Sequence, residues 1–526
     1  MENTNKRYEE LMRENAALKE DLMALRQDHL RLEEKYRKAM KKIFGSNSEH
    51  IAMNGELDEQ LSFLFNETEL VADTEPGETV VEVQGHKRVK RTKSGSLDDI
   101  LSEDLPVTVV EHMPEEMTCP KCGSQMEVIG KEVQKTLVLI PAHAEVREDW
   151  YYKAACMNCK ENDISTPITE AKREPSLVPG GYTSPEAVAE IAYEKFVMYS
   201  PLYRQEQEWN RRGLKLSRQT MSNWLLTCSE RYLRPVYEEL HRQLLNSEIL
   251  HADETPVQVL HEGKGRRPQS KSYMWLYMTG AFEERQIVLY SYDESRSGGV
   301  PKKYLSGYSG YLQTDGYTGY NSVDKVIHVG CLAHARRKFN DALNAMKAEL
   351  RKGTVAEEGL TKIETILLAE KRLVDLPPEE RLKQRLAVVK PLMDELLRWA
   401  DSANVLENSS TGKGVKYIKN QKNTFTPFFV DGRIELTNNR AERSIKPFVM
   451  GRKNWLFCNT KTGVTASETY YSLIETAKFN GLSPYEYLLY ILKTAPGLDL
   501  KDPENVTRLL PWNAPDTCKS KKETTT

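Results

Sequence analysis

Two strand-like runs that each carry an acidic residue constrain the fold of this chain more than any other feature. The first run, 248–260, is apolar and carries Asp253, and the second, 310–317, contains Asp315. Between them the sequence alternates like two further strands and then has a short stretch compatible with a helix. Three strands, a crossover helix and a fourth strand predict a mixed α/β sheet with Asp253 and Asp315 on neighbouring strands.

Acidic side chains in this arrangement indicate a metal site. Mg²⁺ and Mn²⁺ prefer oxygen ligands, and two such ions about 4 Å apart can hold the attacking and leaving oxygens of a phosphodiester. A third acid, Glu442, is predicted about one turn into a helix that Thr437 or Asn438 could cap. A glutamate on a basic helix is, taken alone, more often an ion-pair partner. Together with the two strand acids, Asp253, Asp315 and Glu442 are predicted as catalytic metal ligands.

Basic residues around Glu442 suit a path for the DNA backbone. The predicted DNA contacts in this segment are Arg440, Arg443, Lys446, Arg452 and Lys453. Trp455 follows them and could stack on an unpaired base.

Residues 202–226 predict two helices that are broken at Gly213. Ser217 can cap the second helix, whose apolar side chains recur at helical spacing and leave three polar side chains outward, Arg218, Gln219 and Ser222. A helix-turn-helix with Arg and Gln near the start of its second helix suits the major groove of DNA. The alternative is a helical hairpin that binds no DNA.

Two Cys-x-x-Cys pairs predict a structural zinc site. The ligands would be Cys119, Cys122, Cys156 and Cys159. Four thiolates around Zn²⁺ let a small β-unit fold without a large core and leave no position for a catalytic water. Unpaired thiols or a redox pair are the alternative. The Cys331-x-x-His334 pair is too short to bind a metal alone, so it is expected to pack near the core or help position DNA.

The N-terminal segment predicts a coiled coil. Leucines recur every seven residues at Leu11, Leu18, Leu25 and Leu32, and Asn15 occupies an a position, which favours a parallel pair of helices. Self-association through this seam is therefore expected. The alternative is an amphipathic helix that packs on its own domain.

Four motifs resemble those of one family. They are His-Ala-Asp-Glu-Thr-Pro at 251–256, Gln-Thr-Asp-Gly-Tyr at 313–317, Cys-Leu-Ala-His-Ala-Arg-Arg-Lys-Phe at 331–339 and Asn-Asn-Arg-Ala-Glu-Arg-Ser-Ile-Lys at 438–446. They are similar to motifs of the large subunit of insertion-sequence 66 (IS66) family transposases, over nearly the whole chain. The resemblance implies an RNase H-like core with an Asp-Asp-Glu triad at Asp253, Asp315 and Glu442, a helical insertion before Glu442, and small accessory proteins from the same element.

The expected fold class is therefore a multidomain α/β protein. Its segments would be a coiled coil (1–45), an acidic then basic linker (46–105), a zinc-binding β-unit (106–170), a helix-turn-helix region (171–245), an RNase H-like core (246–495) with a helical insertion at about 335–425, and a C-terminal tail (496–526).

Composition and motifs together favour a DNA-processing protein. The chain is 39% hydrophobic and 29% charged, and it has neither a signal peptide nor an apolar run of about eighteen residues, so a cytoplasmic protein without a membrane partner is expected. The predicted function is a transposase that binds element ends and catalyses metal-dependent cleavage and transfer to target DNA. A DNA-binding regulator without catalysis and a stand-alone metal nuclease are the alternatives.

Overall fold

A computed structural model describes residues 144–150, 152–155, 168–170, 176–263, 267 and 270–520. The predicted coiled coil, the linker and the four cysteines of the predicted zinc site lie outside these residues. Ahead of the main body, β1 (Lys153–Ala155) and β2 (Ile168–Glu170) form a two-stranded antiparallel sheet.

The main sheet is mixed, as the sequence predicts. Its strands are β3 (Ile249–His261), β4 (Lys271–Thr279), β5 (Val288–Asp293), β6 (Tyr311–Gln313), β7 (Ile327–Val329) and β8 (Cys458–Thr460). The order is β5-β4-β3-β6-β7, where β4 runs antiparallel to both of its neighbours and β3, β6 and β7 run parallel. β8 pairs in parallel with the far end of β3, Val259 opposite Cys458. β3, which carries Asp253, and β6, which Asp315 follows, are thus direct neighbours.

In the described part of the chain, the helices that precede the sheet are α1 (Pro185–Phe196), α2 (Leu202–Arg211), α3 (Arg218–Cys228) and α4 (Arg234–Leu244). Gly213, at φ +86°, lies in the turn between α2 and α3, and Ser217 caps α3 by accepting a hydrogen bond from the Thr220 amide at 3.1 Å. Met221, Trp224 and Leu225 are buried, as their spacing predicts. These helices and the main sheet share one hydrophobic core.

A short helix, α5 (Gly299–Tyr304), connects β5 to β6, and a helical insertion follows β7. Its helices are α6 (Leu332–Asn344), α7 (Val355–Lys371), α8 (Pro378–Gln384), α9 (Lys390–Ser402) and α10 (Ser410–Gln421). They pack around a second core that includes Phe339, Ile363, Leu396 and Phe428 and reaches the sheet at Ile249. These helices occupy the part of the chain where the family resemblance implies a helical insertion.

A fully buried arginine ties this insertion to the segment that leads to the next helix. Arg385 is 0% exposed, and its guanidinium donates to the carboxylate of Glu370 and to the backbone carbonyls of Phe428 (2.7 Å) and Ile434 (3.0 Å). A buried charge is stable only when it is paired and hydrogen-bonded throughout. Arg385 therefore fixes the chain between the insertion and the helix that carries Glu442.

The C-terminal helices are α11 (Asn439–Trp455), α12 (Lys461–Phe479), α13 (Pro484–Thr494) and α14 (Pro503–Arg508). Among the described residues, we find no helix with the length and apolar character needed to span a lipid bilayer.

Polar side chains of α12 cover the outer edge of β5. The β5 amides of Val288, Tyr290 and Tyr292 donate to side chains of Thr476 (3.0 Å), Ser472 (2.8 Å) and Glu468 (2.6 Å). Alternate strand residues are about 6.6 Å apart and helix residues four apart are about 6 Å apart, so the two spacings match. The edge strand thereby gains partners without a further strand.

Candidate active site

Asp253 and Asp315 lie at equivalent points of neighbouring parallel strands. His251 of β3 pairs with Gln313 of β6, and each aspartate follows its strand partner by two residues. Both side chains are half-buried. Asp253 lies within β3 and Asp315 lies two residues beyond the end of β6, so the register places the two sequence-predicted aspartates at neighbouring positions.

Burial and neighbouring negative charge act together on Asp253. Burial raises the pKa of Asp253 well above its usual value, and the charges of Glu254, Asp315 and Glu442 raise it further. Burial and the Asp315 charge also raise the pKa of Glu254, which Arg296 and the Tyr320 hydroxyl hold by hydrogen bonds. Carboxylates that destabilise each other's charge in this way are stabilised by a bound cation.

A tight turn after β6 fixes Asp315. Its Oδ1 accepts a hydrogen bond from the Tyr317 amide at 2.8 Å, and its backbone carbonyl accepts one from the Tyr417 hydroxyl of α10 at 2.9 Å. Gly316 between them has φ +90°, and a Cβ there would lie 2.9 Å from Gln421 Nε2. The positive φ favours glycine at this position, whereas the Gln421 side chain could move aside.

Asn438 joins the start of α11 to β3. It is the N-cap residue, but its side chain makes no capping bond, contrary to the sequence prediction. Instead, its Nδ2 donates to the Ala252 carbonyl at 2.9 Å, its Oδ1 accepts from His251 Nδ1 at 3.0 Å, and its amide donates to Cys331 Sγ at 3.1 Å. Asn438 therefore holds the helix that carries Glu442 against the strand that carries Asp253.

Side chains of α6 surround the Glu442 carboxylate. Arg337 Nη2 lies 2.9 Å from Glu442 Oε2, and His334 Nδ1 lies 3.6 Å from Oε1. His334 and Arg337 are three residues apart, so they share a helix face. Arg337 was not among the residues predicted from the sequence, because its contact with Glu442 depends on the fold.

Cys331 completes a cluster with these residues. Among the described residues, Cys331, His334 and Glu442 form a group whose ligand atoms all lie within 4.8 Å of one another. Burial raises the pKa of Cys331 to about 12, so this thiol stays protonated, and the Arg337 cation touches both of the other members. The oxygen donors of Asp253, Asp315 and Glu442 suit Mg²⁺ or Mn²⁺ better than this thiol does.

Two of the predicted DNA-binding arginines donate hydrogen bonds to other groups of the protein. Arg452 is 6% exposed, burial lowers its pKa to about 10, and its Nη1 donates to Thr255 Oγ1 at 3.2 Å. Arg440 donates to the Thr279 carbonyl at 3.2 Å and to Gln286. α11 turns both side chains toward the sheet, so their contact with DNA stays a prediction.

The other predicted DNA contacts reach the surface. Arg443 is exposed and Lys446 and Lys453 are half-buried on the outer side of α11. On α3, Arg218 and Gln219 are exposed and Ser222 is half-buried. Arg218 lies near its helix-pair neighbour Glu206 (3.9 Å), and Gln219 donates to Asn223 at 3.0 Å.

Four family models match the chain. One described as "Transposase IS66 family" matches residues 180–466, and one described as "IS66 C-terminal element" matches 472–512. A third, "zinc-finger binding domain of transposase IS66", matches 116–160, which contains all four cysteines of the predicted zinc site, and "Transposase C of IS166 homeodomain" matches 31–110.

Relatives from Sinorhizobium fredii align over most of their lengths. The protein described as "Uncharacterized protein y4hP" is 29% identical over 510 residues, which cover 91% of this chain and 88% of the relative. "Uncharacterized protein y4jD" is 29% identical over 433 residues, which cover 78% of this chain and 81% of the relative.

Proposed function

Because this chain belongs to the IS66 transposase family, we propose that it cleaves the ends of an insertion sequence and joins them to target DNA in a reaction that requires divalent metal ions. The strongest support is the electrostatic interaction of three acids from separate parts of the chain. The charges of Asp315 and Glu442 both raise the pKa of Asp253, although the three residues come from β3, the end of β6 and a helix.

Asp253, Asp315 and Glu442 would hold Mg²⁺ or Mn²⁺. When bound, such ions lower the pKa of a water or a DNA 3′-hydroxyl and stabilise the departing oxygen. The chain's own contribution is placement, because the turn at Gly316 fixes Asp315 and Asn438 fixes the start of α11. Cleavage and joining then use one set of acids, without a covalent bond between protein and DNA.

The catalytic unit is proposed to be RNase H-like. The support is the strand order β5-β4-β3-β6-β7, in which β4 alone runs opposite to the other four strands. A helix that carries the third acid adds to it. The helical insertion would lie between the second and third acids of the triad.

DNA recognition is proposed to involve two surfaces and a zinc unit. The start of α3, with Arg218, Gln219 and Ser222, would read a groove of the terminal repeat, and the outer side of α11 would follow the backbone. Structural zinc on the four N-terminal cysteines is supported by the zinc-finger match. Pairing through the N-terminal coiled coil, small accessory proteins of the same element, and a cytoplasmic location complete the proposal.

Strand transfer in vitro tests this function. Purified full-length chain is incubated with a duplex that ends in the inverted repeat flanking its reading frame, a target plasmid and Mg²⁺. We expect nicking at the repeat end and a joined product, and binding alone when Ca²⁺ replaces Mg²⁺. Binding without nicking would favour a regulator, and nicking without joining would favour a stand-alone nuclease.

Arg337 is expected to position Glu442 for this reaction. Arg337→Ala removes the 2.9 Å contact to Glu442, and loss of such a supporting contact lowers activity by about 10–100-fold. The measurement is the single-turnover cleavage rate at saturating DNA. Arg336→Ala is the matched control, because Arg336 is the neighbouring residue on α6 and pairs with exposed Glu364 at 2.8 Å. This variant should change the rate by less than about twofold. Equal rates for the two variants would contradict the positioning role.

A further inference from the structure

The segment that ends α11 is strained and exposes two large apolar side chains. Leu456 has φ +64° and ψ −51°, and the Phe457 amide donates to the Trp455 carbonyl at 2.8 Å, which defines a γ-turn of the rare, strained form. Leu456 is 65% exposed and Phe457 is 43% exposed. Strained backbone persists only where the surrounding structure enforces it, and it clusters at functional sites.

Both sides of this turn are firmly anchored. Trp455 packs against Phe448 with ring centroids 5.6 Å apart, which holds its ring against the core. Cys458 is buried and begins β8, which pairs with β3 at Val259. The two residues between these anchors, Leu456 and Phe457, are therefore held outward as a rigid apolar tip.

A basic stripe leads from the acids to this tip. Arg443, Lys446, Met450 and Lys453 recur at helical spacing and share the outer side of α11. Glu442 lies at the start of the same helix. A polyanion that follows the stripe away from the acids therefore meets the apolar tip at its end.

The distance along this path follows from the two elements that border it. α11 rises about 20 Å from Glu442 to its end at roughly 1.5 Å per residue. β3 spans about the same distance from Asp253 to Val259 at roughly 3.3 Å per residue. Twenty ångströms corresponds to about six nucleotides at about 3.4 Å per nucleotide of one strand.

We propose that Leu456 and Phe457 insert into a base step of the bound DNA about six nucleotides from the scissile phosphate. Apolar wedges of this kind partly unstack a step and kink the duplex, and Phe adds a stacking surface for a base. The inference rests on the proposed function for its DNA path. The positive stripe favours DNA over a protein partner as the occupant of the tip.

Fluorescence of 2-aminopurine tests the insertion. Full-length chain is bound in Ca²⁺ to duplexes of the flanking inverted repeat that carry 2-aminopurine at successive positions. We expect a severalfold rise at one or two adjacent positions about six nucleotides from the cleavage site, and its loss in Leu456→Ala/Phe457→Ala. The control Leu368→Ala/Phe282→Ala changes side chains of similar exposure, 60% and 42%, away from the stripe, and should keep the rise.

Several results would overturn the insertion. The fluorescence of the wild-type complex could show no localised rise, or the rise could be unchanged in the tip variant or lost equally in the control. A tip variant that loses self-association while DNA distortion persists would also contradict the insertion. Because the assay needs no cleavage, a wild-type chain that distorts DNA but never cuts it would reject the proposed function and leave the insertion standing.

The strain has its own readout. Leu456→Gly places glycine at positive φ, so we expect it to raise the melting temperature by about 1–3 °C while reducing the fluorescence rise. A lower melting temperature would contradict the strain on which the insertion rests.

Discussion

Glu442→Gln is expected to lower Mg²⁺-dependent cleavage and joining by at least about 10³-fold while end binding stays within about twofold. The substitution keeps the side-chain shape but removes a negative charge that raises the pKa of Asp253. Asp253→Asn and Asp315→Asn should have the same effect, because each removes one charge from the same group. Gel assays of nicked and joined products give the rates.

Glu364→Gln serves as the control for this series. Glu364 is also a glutamate paired with an arginine of α6, but it lies on the exposed side of the insertion. We expect full activity from it. A Glu442→Gln chain that still joins ends to target would show that the assignment of the triad is wrong.

Arg385→Ala should destabilise the insertion by about 3 kcal/mol, because the buried Glu370 carboxylate keeps only Arg381 as a charge partner. The carbonyls of Phe428 and Ile434 lose their donor as well. Hydrogen exchange should accelerate throughout 332–429, and cleavage should fall because α11 loses its support.

Lys390→Ala provides the comparison for Arg385→Ala. Lys390 pairs with Asp394 at 2.9 Å on the exposed surface of α9, and such pairs contribute about 0–1 kcal/mol. If the two variants exchange hydrogen at similar rates within 332–429, Arg385 does not hold the insertion together.

Strand patterns in the sequence predicted the part of the sheet where the two aspartates lie. β3 and β4 are long enough for their alternation to be visible, which placed Asp253 on a strand, whereas Asp315 follows β6, a strand of three residues. By contrast, β7 and β8 have only three residues each, too few to show a period. Their strand character comes from pairing with β6 and β3, which only the folded chain supplies.

Helix periodicity could not orient the side chains around Glu442. It places Arg440 and Arg452 on a helix correctly, but it does not say which side meets the sheet. Similarly, a polar residue before a helix predicts an N-terminal cap. The Asn438 side chain instead donates a hydrogen bond to β3, because that strand is within reach. The Arg337 contact to Glu442 joins residues 105 positions apart, so no local pattern could reveal it.

The cover that α12 provides for β5 has a consequence for biosynthesis. Glu468, Ser472 and Thr476 leave the ribosome long after Asp293, about 10–40 s later at roughly 5–20 residues per second. During that interval the nascent hairpin of β4 and β5 presents bare amides that neighbouring polypeptides can pair with. Translation speed and chaperone supply should therefore govern how much of this protein escapes aggregation.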